Sequence, residues 1–205
     1  DLENETRLRG RGVSACATCD GFFFRDKKIA VVGGGDSALE EALFLTKFAS
    51  EVVLIHRRDE LRGSRIMQNR VKSHEKISIE WNTRVTDVLG KDKIEGLELE
   101  DTQTGEKRTM DIEGLFIAIG HKPNTEVFKE YLDIDDKGYL EVSDHTLSNV
   151  EGVFVAGDVH DHRYRQAITA AGDGCRAAID AERWLAEQEE ATKAAPGASE
   201  AVSLA

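Results

Sequence analysis

The chain has 205 residues, and its 27 Lys and Arg against 39 Asp and Glu give a formal net charge of −12. With 40% apolar residues, 18 Gly and only 2 Pro, it is not collagen-like, low-complexity or a disulfide-dense mini-protein. No apolar run reaches the roughly 18 residues of a membrane span. The acidic charge disfavours nucleic acid and anionic membranes as partners. The polar start, Asp1 to Gly12, lacks a signal-peptide core, so we expect a cytoplasmic protein.

The hydrophobic pattern predicts alternating strands and helices in the first part of the chain. Continuous apolar runs at 27–32, 51–55 and 115–119 are typical of strands in a parallel sheet that is buried on both faces. Helical periodicity occurs over 36–45 and 60–75. Shorter alternating segments predict an added antiparallel sheet, at 77–81, 83–89, 94–100 and 107–112. The pattern therefore predicts an α/β domain of the Rossmann-like, three-layer class.

The pattern changes at Gly120 to Asn124, which we interpret as a domain boundary. Beyond it, Val153 to Ala156 is predicted to be a buried strand, and Gln166 to Glu187 is predicted to be a long helix. The last residues have little to bury and are expected to form a disordered tail. The predicted divisions of the chain are 1–124, 125–187 and 188–205.

A dinucleotide-binding fingerprint follows the first predicted strand. The order is strand, then Gly33-x-Gly35-x-x-Ala38, then helix. Gly33 permits a tight turn, Gly35 lets the backbone approach a pyrophosphate, and Ala38 lets helix and strand pack closely. The N–H groups at the start of the helix attract phosphate. The alternative is an ordinary strand-to-helix turn.

Basic residues follow the next strand, where an NAD site usually has an acid. The strand ends in His56-Arg57-Arg58, with Arg62 one turn further. Residues 56–72 contain six Arg and Lys and only two acids, in an acidic chain. Guanidinium groups match phosphate oxygens in a bidentate way, so the cluster favours NADPH over NADH. The alternative is a solvated basic helix face.

Two of the three cysteines, Cys16 and Cys19, form a CxxC pair ahead of the fingerprint. This spacing favours a reversible redox disulfide over structural zinc, which needs four ligands, and we expect no metal. Asp20 is placed either to move protons to and from a leaving thiolate or to form an Asx turn before Gly21. Cys175, in the last helical pattern, is expected to be a small buried thiol.

Taken together and in order, these segments resemble the low-molecular-weight thioredoxin reductases of bacteria and archaea. The resemblance covers roughly residues 10–187 and rests on several motifs rather than one. The motifs are Ser14 to Gly21, Gly33 to Ala38, His56 to Arg58 with Arg62, Ala118 to Asn124, Gly157-Asp158 and Tyr164 to Ala167. It implies a flavoprotein with two dinucleotide-binding domains, of which this chain holds the NADPH-binding domain and the C-terminal part of the FAD-binding domain. No Gly-rich FAD fingerprint precedes Cys16, so we expect an N-terminally truncated form.

The resemblance also implies roles for individual residues. Electrons would pass from NADPH to FAD, then to the Cys16–Cys19 disulfide, then to thioredoxin, in a complete protein that is a homodimer. Cys19 would lie nearer the flavin, Cys16 would attack thioredoxin, and Asp20 would be the general acid. NADPH contacts are expected from Gly33, Gly35, Asp36, Ser37, Ala38, His56, Arg57, Arg58 and Arg62. FAD contacts are expected from Gly157, Asp158, Arg165, Gln166 and Ala167.

Two alternative functions stay open from the sequence. The chain could be an NADPH-binding fragment without turnover of its own. It could also belong to another CxxC flavoprotein disulfide reductase, such as the reductase subunit of a peroxidase system. A flavin absorption band would separate a working reductase from a binding module.

Overall fold

The computed structural model describes residues 2–194, which divide into two units between Gly120 and His121. The strands of the first unit are Val13–Ser14 (β1), Lys28–Val32 (β2), Glu51–Ile55 (β3), Ile77–Glu80 (β4), Thr83–Leu89 (β5), Gly96–Asp101 (β6), Lys107–Asp111 (β7) and Gly114–Ile117 (β8). Its helices are Glu3–Arg7 (α1), Ala17–Asp20 (α2), Asp36–Leu45 (α3) and Arg65–Lys72 (α4), with a 3-10 turn at Gly21–Phe24. The second unit contains the helix Ala167–Ala194 (α5) and 3-10 turns at Glu126–Phe128 and Gly157–Val159.

The strands of the first unit form one parallel and one antiparallel sheet. The parallel sheet has the order β1-β8-β2-β3-β4, and the antiparallel sheet has the order β5-β6-β7. In the parallel sheet, Val31 is paired with Leu54 on one side and with Phe116 on the other. The predicted strands at 27–32, 51–55 and 115–119 are therefore neighbours in one parallel sheet.

Different layers cover the two faces of the parallel sheet. Successive residues of a strand point to opposite faces, so Ile29 and Ala30 of β2 belong to different clusters. Ile29 packs in the same cluster as Leu39 of α3. Ala30 packs in the cluster that contains Leu97 and Leu99 of the antiparallel sheet. Helices, parallel sheet and antiparallel sheet thus form three layers, which confirms the predicted α/β, Rossmann-like class.

Two elements of the first unit differ from the sequence prediction. Residues 77–80 pair in parallel with β3, through Val52 and Ile77, and form the edge of the parallel sheet rather than part of the antiparallel one. Because an edge strand is only half-buried, it shows the same alternation as a strand of an antiparallel sheet. The helix predicted over 60–75 is shorter, since α4 begins at Arg65 after a loop.

The second unit contains less sheet than predicted. The buried strand expected at 153–156 is not formed. Residues 146–148 lie beside this segment, but the backbone hydrogen bonds between them are isolated and do not build a ladder. Phe154 makes a single antiparallel bridge to Leu147, and Val153 is 38% exposed.

Helix α5 extends beyond the end predicted at Glu187. Residues 188–194 are helical rather than part of the expected tail, because Gln, Glu, Ala and Lys are strong helix formers. Glu189 and Lys193 also form an ion pair at 3.9 Å, one helical turn apart. The rest of the expected tail, 195–205, lies outside the described residues. In the part of the chain that the structure describes, no helix is both long and apolar enough to cross a membrane.

Ile29→Ala is expected to lower the free energy of unfolding of the first unit by about 2–5 kcal/mol, because it leaves a cavity beneath α3. The matched control is Ile66→Ala on α4, where the isoleucine is 74% exposed and truncation should cost less than about 0.5 kcal/mol. Urea unfolding followed by Trp81 fluorescence, with Trp184 replaced by Phe in every variant, measures this. Equal losses for the two variants would contradict the assigned core.

Candidate functional site

The turn between β2 and α3 forms one wall of a cavity of about 570 Å³, a volume within the range of small-molecule sites. An added Cβ at Gly33 would overlap the Ala118 carbonyl and the Ala38 methyl, so helix and strand are as close as the fingerprint predicts. Gly35 has open space at the same position, which leaves its backbone accessible. The cavity lining from this turn comprises Gly33, Gly34, Gly35, Asp36 and Ser37, and the adjacent end of β8 adds Ala118, Ile119 and Gly120.

A loop of residues 56–64, which we call the arginine loop, is bonded to the glycine turn. The Gly34 carbonyl accepts hydrogen bonds from the N–H of Arg62 at 2.7 Å and from the N–H of Gly63 at 3.0 Å. These bonds hold the loop against the turn, and both Arg57 and Arg62 line the cavity. The two guanidinium groups give this wall a positive charge.

Most of the predicted basic cluster divides into two sets. Arg57, Arg58 and Arg62 are all exposed, and of these three Arg57 and Arg62 line the cavity. The others, Arg65, Arg70 and Lys72, are exposed on α4. Arg57 and Arg62 could hold a phosphate in the cavity, and the three residues on α4 form a solvated basic helix face, whereas Arg58 belongs to neither set.

Two residues predicted to contact the nucleotide also bond to the backbone of the site. His56 is 5% exposed, and its ring nitrogens lie close to two carbonyl oxygens: Nδ1 is 3.0 Å from that of Gly33, and Nε2 is 2.9 Å from that of Glu60. Oδ1 of Asp36 accepts a hydrogen bond from the N–H of Ser64 at 2.7 Å. Both side chains therefore connect the glycine turn or the helix after it to the arginine loop.

Cys16 and Cys19 are joined in a disulfide, with their Cα atoms 5.3 Å apart. Cys16 precedes α2 and is half-buried, whereas Cys19 lies within α2 and is exposed. The Sγ atom of Cys16 accepts a hydrogen bond from the Cys19 N–H at 3.2 Å. Across residues 2–194, no cluster of three or more His, Cys, Asp or Glu has the arrangement of a metal site.

Asp20 belongs to a chain of hydrogen bonds beside the disulfide. Its Oδ2 accepts from the Ser14 hydroxyl at 2.7 Å, and the Ser14 oxygen accepts from the Cys16 N–H at 3.1 Å. The Asp20 side chain makes no capping bond to the turn that begins at Gly21, so the alternative Asx turn is not formed. The carboxylate instead lies in the network that holds the cysteine turn.

Two phenylalanines that the sequence reasoning missed follow the disulfide. Phe22 and Phe23 are 60% and 69% exposed, with their ring centroids 6.1 Å apart. The Arg25 guanidinium lies 4.8 Å from the centre of the Phe22 ring. Together the two rings form an exposed apolar patch close to the disulfide in the sequence. The available signal was three consecutive phenylalanines, Phe22 to Phe24, that begin three residues after Cys19.

In the second unit, the predicted Gly157-Asp158 pair is held by a residue that the sequence reasoning missed. Asp173 is 4% exposed and accepts hydrogen bonds from the Gly157 N–H at 3.3 Å, from His160 Nε2 at 3.0 Å, and from Arg176. Burial acts to raise the pKa of Asp173, but these bonds outweigh it and lower the pKa below its usual value. Gly157 has a φ of +79°, which favours glycine, and Asp158 is exposed.

The segment from Arg165 to Ala167 enters α5 through a turn organised by Asp161. The Asp161 carboxylate accepts backbone N–H bonds from residues 163–165, at distances from 2.9 to 3.2 Å. The Arg165 guanidinium donates to Nδ1 of His121 at 2.7 Å. Burial, and then the charge of Arg165, lower the pKa of His121, which suits a ring nitrogen that accepts a hydrogen bond.

The placement of Cys175 on α5 differs from the prediction. Cys175 is exposed rather than buried. The covered face of α5 carries Asp173, Ala177 and Asp180, at helical spacing, and Cys175 lies on the opposite side. Ala167 is the first residue of the helix, directly after Gln166.

The comparisons with known proteins agree with this fold. A family model of the pyridine nucleotide-disulphide oxidoreductases matches residues 1–174, and the chain belongs to that family. It is 60% identical over 186 residues to a thioredoxin reductase of Streptomyces clavuligerus, covering 90% of this chain and 58% of that protein. It is 56% identical over 187 residues to a bifunctional thioredoxin reductase/thioredoxin of Mycobacterium leprae, covering 91% of this chain and 41% of that protein.

Solved structures give the same result. A thioredoxin reductase from Streptococcus pyogenes superimposes with a TM-score of 0.86 at 39% identity, covering 91% of this chain and 61% of that one. The resemblance to thioredoxin reductases inferred from the sequence motifs is thereby confirmed. The chain spans about 60% of the length of the thioredoxin reductases from S. clavuligerus and S. pyogenes.

The disulfide predicts a specific thiol count. The untreated chain should react with a thiol reagent at one site, Cys175, and after reduction at all three cysteines. Mass spectrometry after alkylation measures both numbers. In a Cys175→Ser variant the counts should fall to zero and two. A count that reduction leaves unchanged would contradict a redox-active pair.

Proposed function

We propose that this chain carries the NADPH-binding and dithiol parts of a thioredoxin-disulfide reductase, which uses NADPH, by way of FAD, to reduce the disulfide of thioredoxin. The observation that carries the proposal is that the Cys16–Cys19 disulfide and the glycine-lined cavity belong to one folded unit. A dinucleotide site and a two-electron acceptor are the two ends of such a reaction. The similarity to proteins named thioredoxin reductase supports the choice of thioredoxin.

The cavity residues fit NADPH. The space that a Cβ would fill at Gly35 is open, so the backbone can approach a pyrophosphate there. The N-terminus of α3 attracts the same negative charge. Arg57 and Arg62 provide guanidinium groups for the 2′-phosphate, which NADH lacks. When bound, NADPH supplies the hydride that begins the reaction.

Residues of the second unit fit part of an FAD site. The Gly157 turn leaves Asp158 exposed, where its carboxylate can accept hydrogen bonds from ribityl hydroxyls. Arg165, Gln166 and Ala167 lie at the start of α5, and the N-terminus of a helix suits the negative charge of a reduced flavin. When bound, FAD supplies the electron transfer between the nicotinamide and the disulfide.

The chemistry of this chain's own residues is thiol–disulfide exchange. In the dithiol form, the Cys16 thiolate attacks one sulfur of the thioredoxin disulfide, which forms a mixed disulfide and releases the other thioredoxin sulfur as a thiolate. The Cys19 thiolate then attacks the Cys16 sulfur, which re-forms the Cys16–Cys19 disulfide and releases the second thioredoxin thiolate. Asp20 transfers a proton to a leaving thiolate. Two electrons pass from the dithiol to thioredoxin.

One contact supports Cys16 as the attacking residue, although Cys19 is the more exposed of the two. The Cys19 N–H points at the Cys16 Sγ, 3.2 Å away. A backbone N–H in this position stabilises a thiolate, and the thiolate is the nucleophile. The exposed pair Phe22 and Phe23 provides apolar surface beside the disulfide for docking thioredoxin.

We extend the proposal to the setting of the complete protein. A dithiol that must be regenerated in its reduced form suits a reducing compartment, so we propose the cytoplasm. The resemblance to thioredoxin reductases supports a homodimer for the complete protein.

Exchange with thioredoxin can be tested without flavin. The probe is a thioredoxin that retains only its attacked cysteine, activated as a thionitrobenzoate mixed disulfide, and the signal is the release of thionitrobenzoate. In a Cys175→Ser background, reduced Cys19→Ser is expected to release it at close to the rate of the parent. Cys16→Ser is expected to be at least about tenfold slower, because it lacks the thiolate that the Cys19 N–H stabilises. The reverse order of rates would reject Cys16 as the nucleophile.

Nucleotide preference can be tested by calorimetric titration of NADP⁺ and NAD⁺. Arg62→Ala is expected to weaken NADP⁺ binding about tenfold to a hundredfold while changing NAD⁺ binding little, because only NADP⁺ carries the 2′-phosphate. The matched control is Arg70→Ala on exposed α4, which should change neither affinity. Equal losses of both nucleotides in Arg62→Ala would contradict the proposed preference.

A further inference from the structure

We propose that His56 is a positioning residue that sets selectivity for the 2′-phosphate by bonding the arginine loop to the glycine turn, and that it does not itself bind the phosphate. This inference rests on the proposed NADPH function. The observation behind it is the direction of the imidazole ring. Its Nδ1 lies 3.0 Å from the Gly33 carbonyl oxygen, and its Nε2 lies 2.9 Å from the Glu60 carbonyl oxygen.

The two partners decide what the ring can do. Each ring nitrogen faces a carbonyl oxygen, which only accepts hydrogen bonds, so every N–H that the ring carries in either tautomer donates to the backbone. No ring N–H is directed at the cavity. A phosphate in the cavity would therefore find no ring donor, although His56 lies in the cavity wall.

The ring also occupies the space between the turn and the loop. It is 5% exposed, and a Cβ at Gly34 would overlap it. The Gly34 carbonyl accepts the Arg62 N–H at 2.7 Å on the loop side. Glu60 lies between Arg57 and Arg62 in the sequence, so the bond from Nε2 fixes the segment that carries both cavity arginines.

The loop depends more than the turn on this ring. Gly33 is also held by its own N–H, which donates to the Ile55 carbonyl at 3.1 Å, and by close packing against Ala38. The turn would contact the pyrophosphate, which NADP⁺ and NAD⁺ share, whereas the arginines would contact the 2′-phosphate of NADP⁺ alone. Loss of the hydrogen bonds made by the His56 ring should therefore weaken the binding of NADP⁺ more than the binding of NAD⁺.

The test is a double-mutant cycle on the whole chain, with NADP⁺ and NAD⁺ titrated by calorimetry. His56→Phe keeps a flat ring and removes both ring nitrogens. It is expected to weaken NADP⁺ at least tenfold more than NAD⁺. In an Arg57→Ala/Arg62→Ala background, His56→Phe should weaken NADP⁺ no more than it weakens NAD⁺, because both groups that it positions are gone. The control is His74→Phe, outside the cavity lining, which should leave both affinities unchanged.

Two outcomes of the cycle would overturn the proposal. Equal weakening of both nucleotides by His56→Phe would make the ring a packing residue only. A selective effect of the same size in the Arg57→Ala/Arg62→Ala background would make His56 a direct phosphate ligand.

A measurement on the unsubstituted chain covers the case in which His56→Phe does not fold. In ¹⁵N spectra recorded with NADP⁺, neither ring nitrogen of His56 should couple to phosphorus, and a ring N–H should couple to a backbone carbonyl carbon with and without NADP⁺. Coupling of a ring nitrogen to phosphorus, or loss of the coupling to the carbonyl when NADP⁺ binds, would reject the proposal. If the unsubstituted chain binds NADP⁺ and NAD⁺ equally well, the nucleotide preference of the proposed function fails, whereas the ¹⁵N spectrum still decides whether the ring bonds to the backbone or to the phosphate.

Discussion

The nucleotide cavity depends on a close approach of backbone at Gly33 and Gly34. A side chain at Gly33 would meet the Ala118 carbonyl and Ala38, and one at Gly34 would meet the His56 ring. Because neither position has a side chain, β8, α3 and the arginine loop all converge on the same turn. They do so at the carboxyl ends of the parallel strands, where ligands of open α/β sheets bind.

The antiparallel sheet also contributes to the cavity lining. Its strand β5 supplies Thr83, Arg84, Val85 and Val88 to the lining. The leucines of β6 anchor that sheet on the parallel one, since Leu97 and Leu99 are fully buried. The antiparallel sheet therefore belongs to one of the two hydrophobic core clusters and also lines the cavity. The stability of the core and the shape of the cavity depend on the same strands.

The sequence predicted the parts of the structure that depend on local pattern. β2, β3 and β8 were recognisable because both of their faces are buried, and the glycine turn and the CxxC pair were recognisable because their spacing is itself the signal. β4 was assigned to the wrong sheet because its single covered face produces the alternation of an antiparallel strand. Which arginines line the cavity, Arg62 but not Arg58, depends on the path of the arginine loop. The direction of the His56 ring depends on that path as well, and no periodicity encodes it.

The disulfide joins residues only three positions apart in the sequence. In the chain-entropy view, a cross-link stabilises a fold by restricting the unfolded chain, and the effect shrinks with the size of the closed loop. A ring this small restricts the unfolded chain less than a cross-link over a long loop would. The turn around it is held separately, by the bonds among Ser14, Cys16 and Asp20. Breaking the bond should therefore cost the unit less stability than breaking a long-range disulfide would, so that the oxidation state can alternate while the scaffold stays folded.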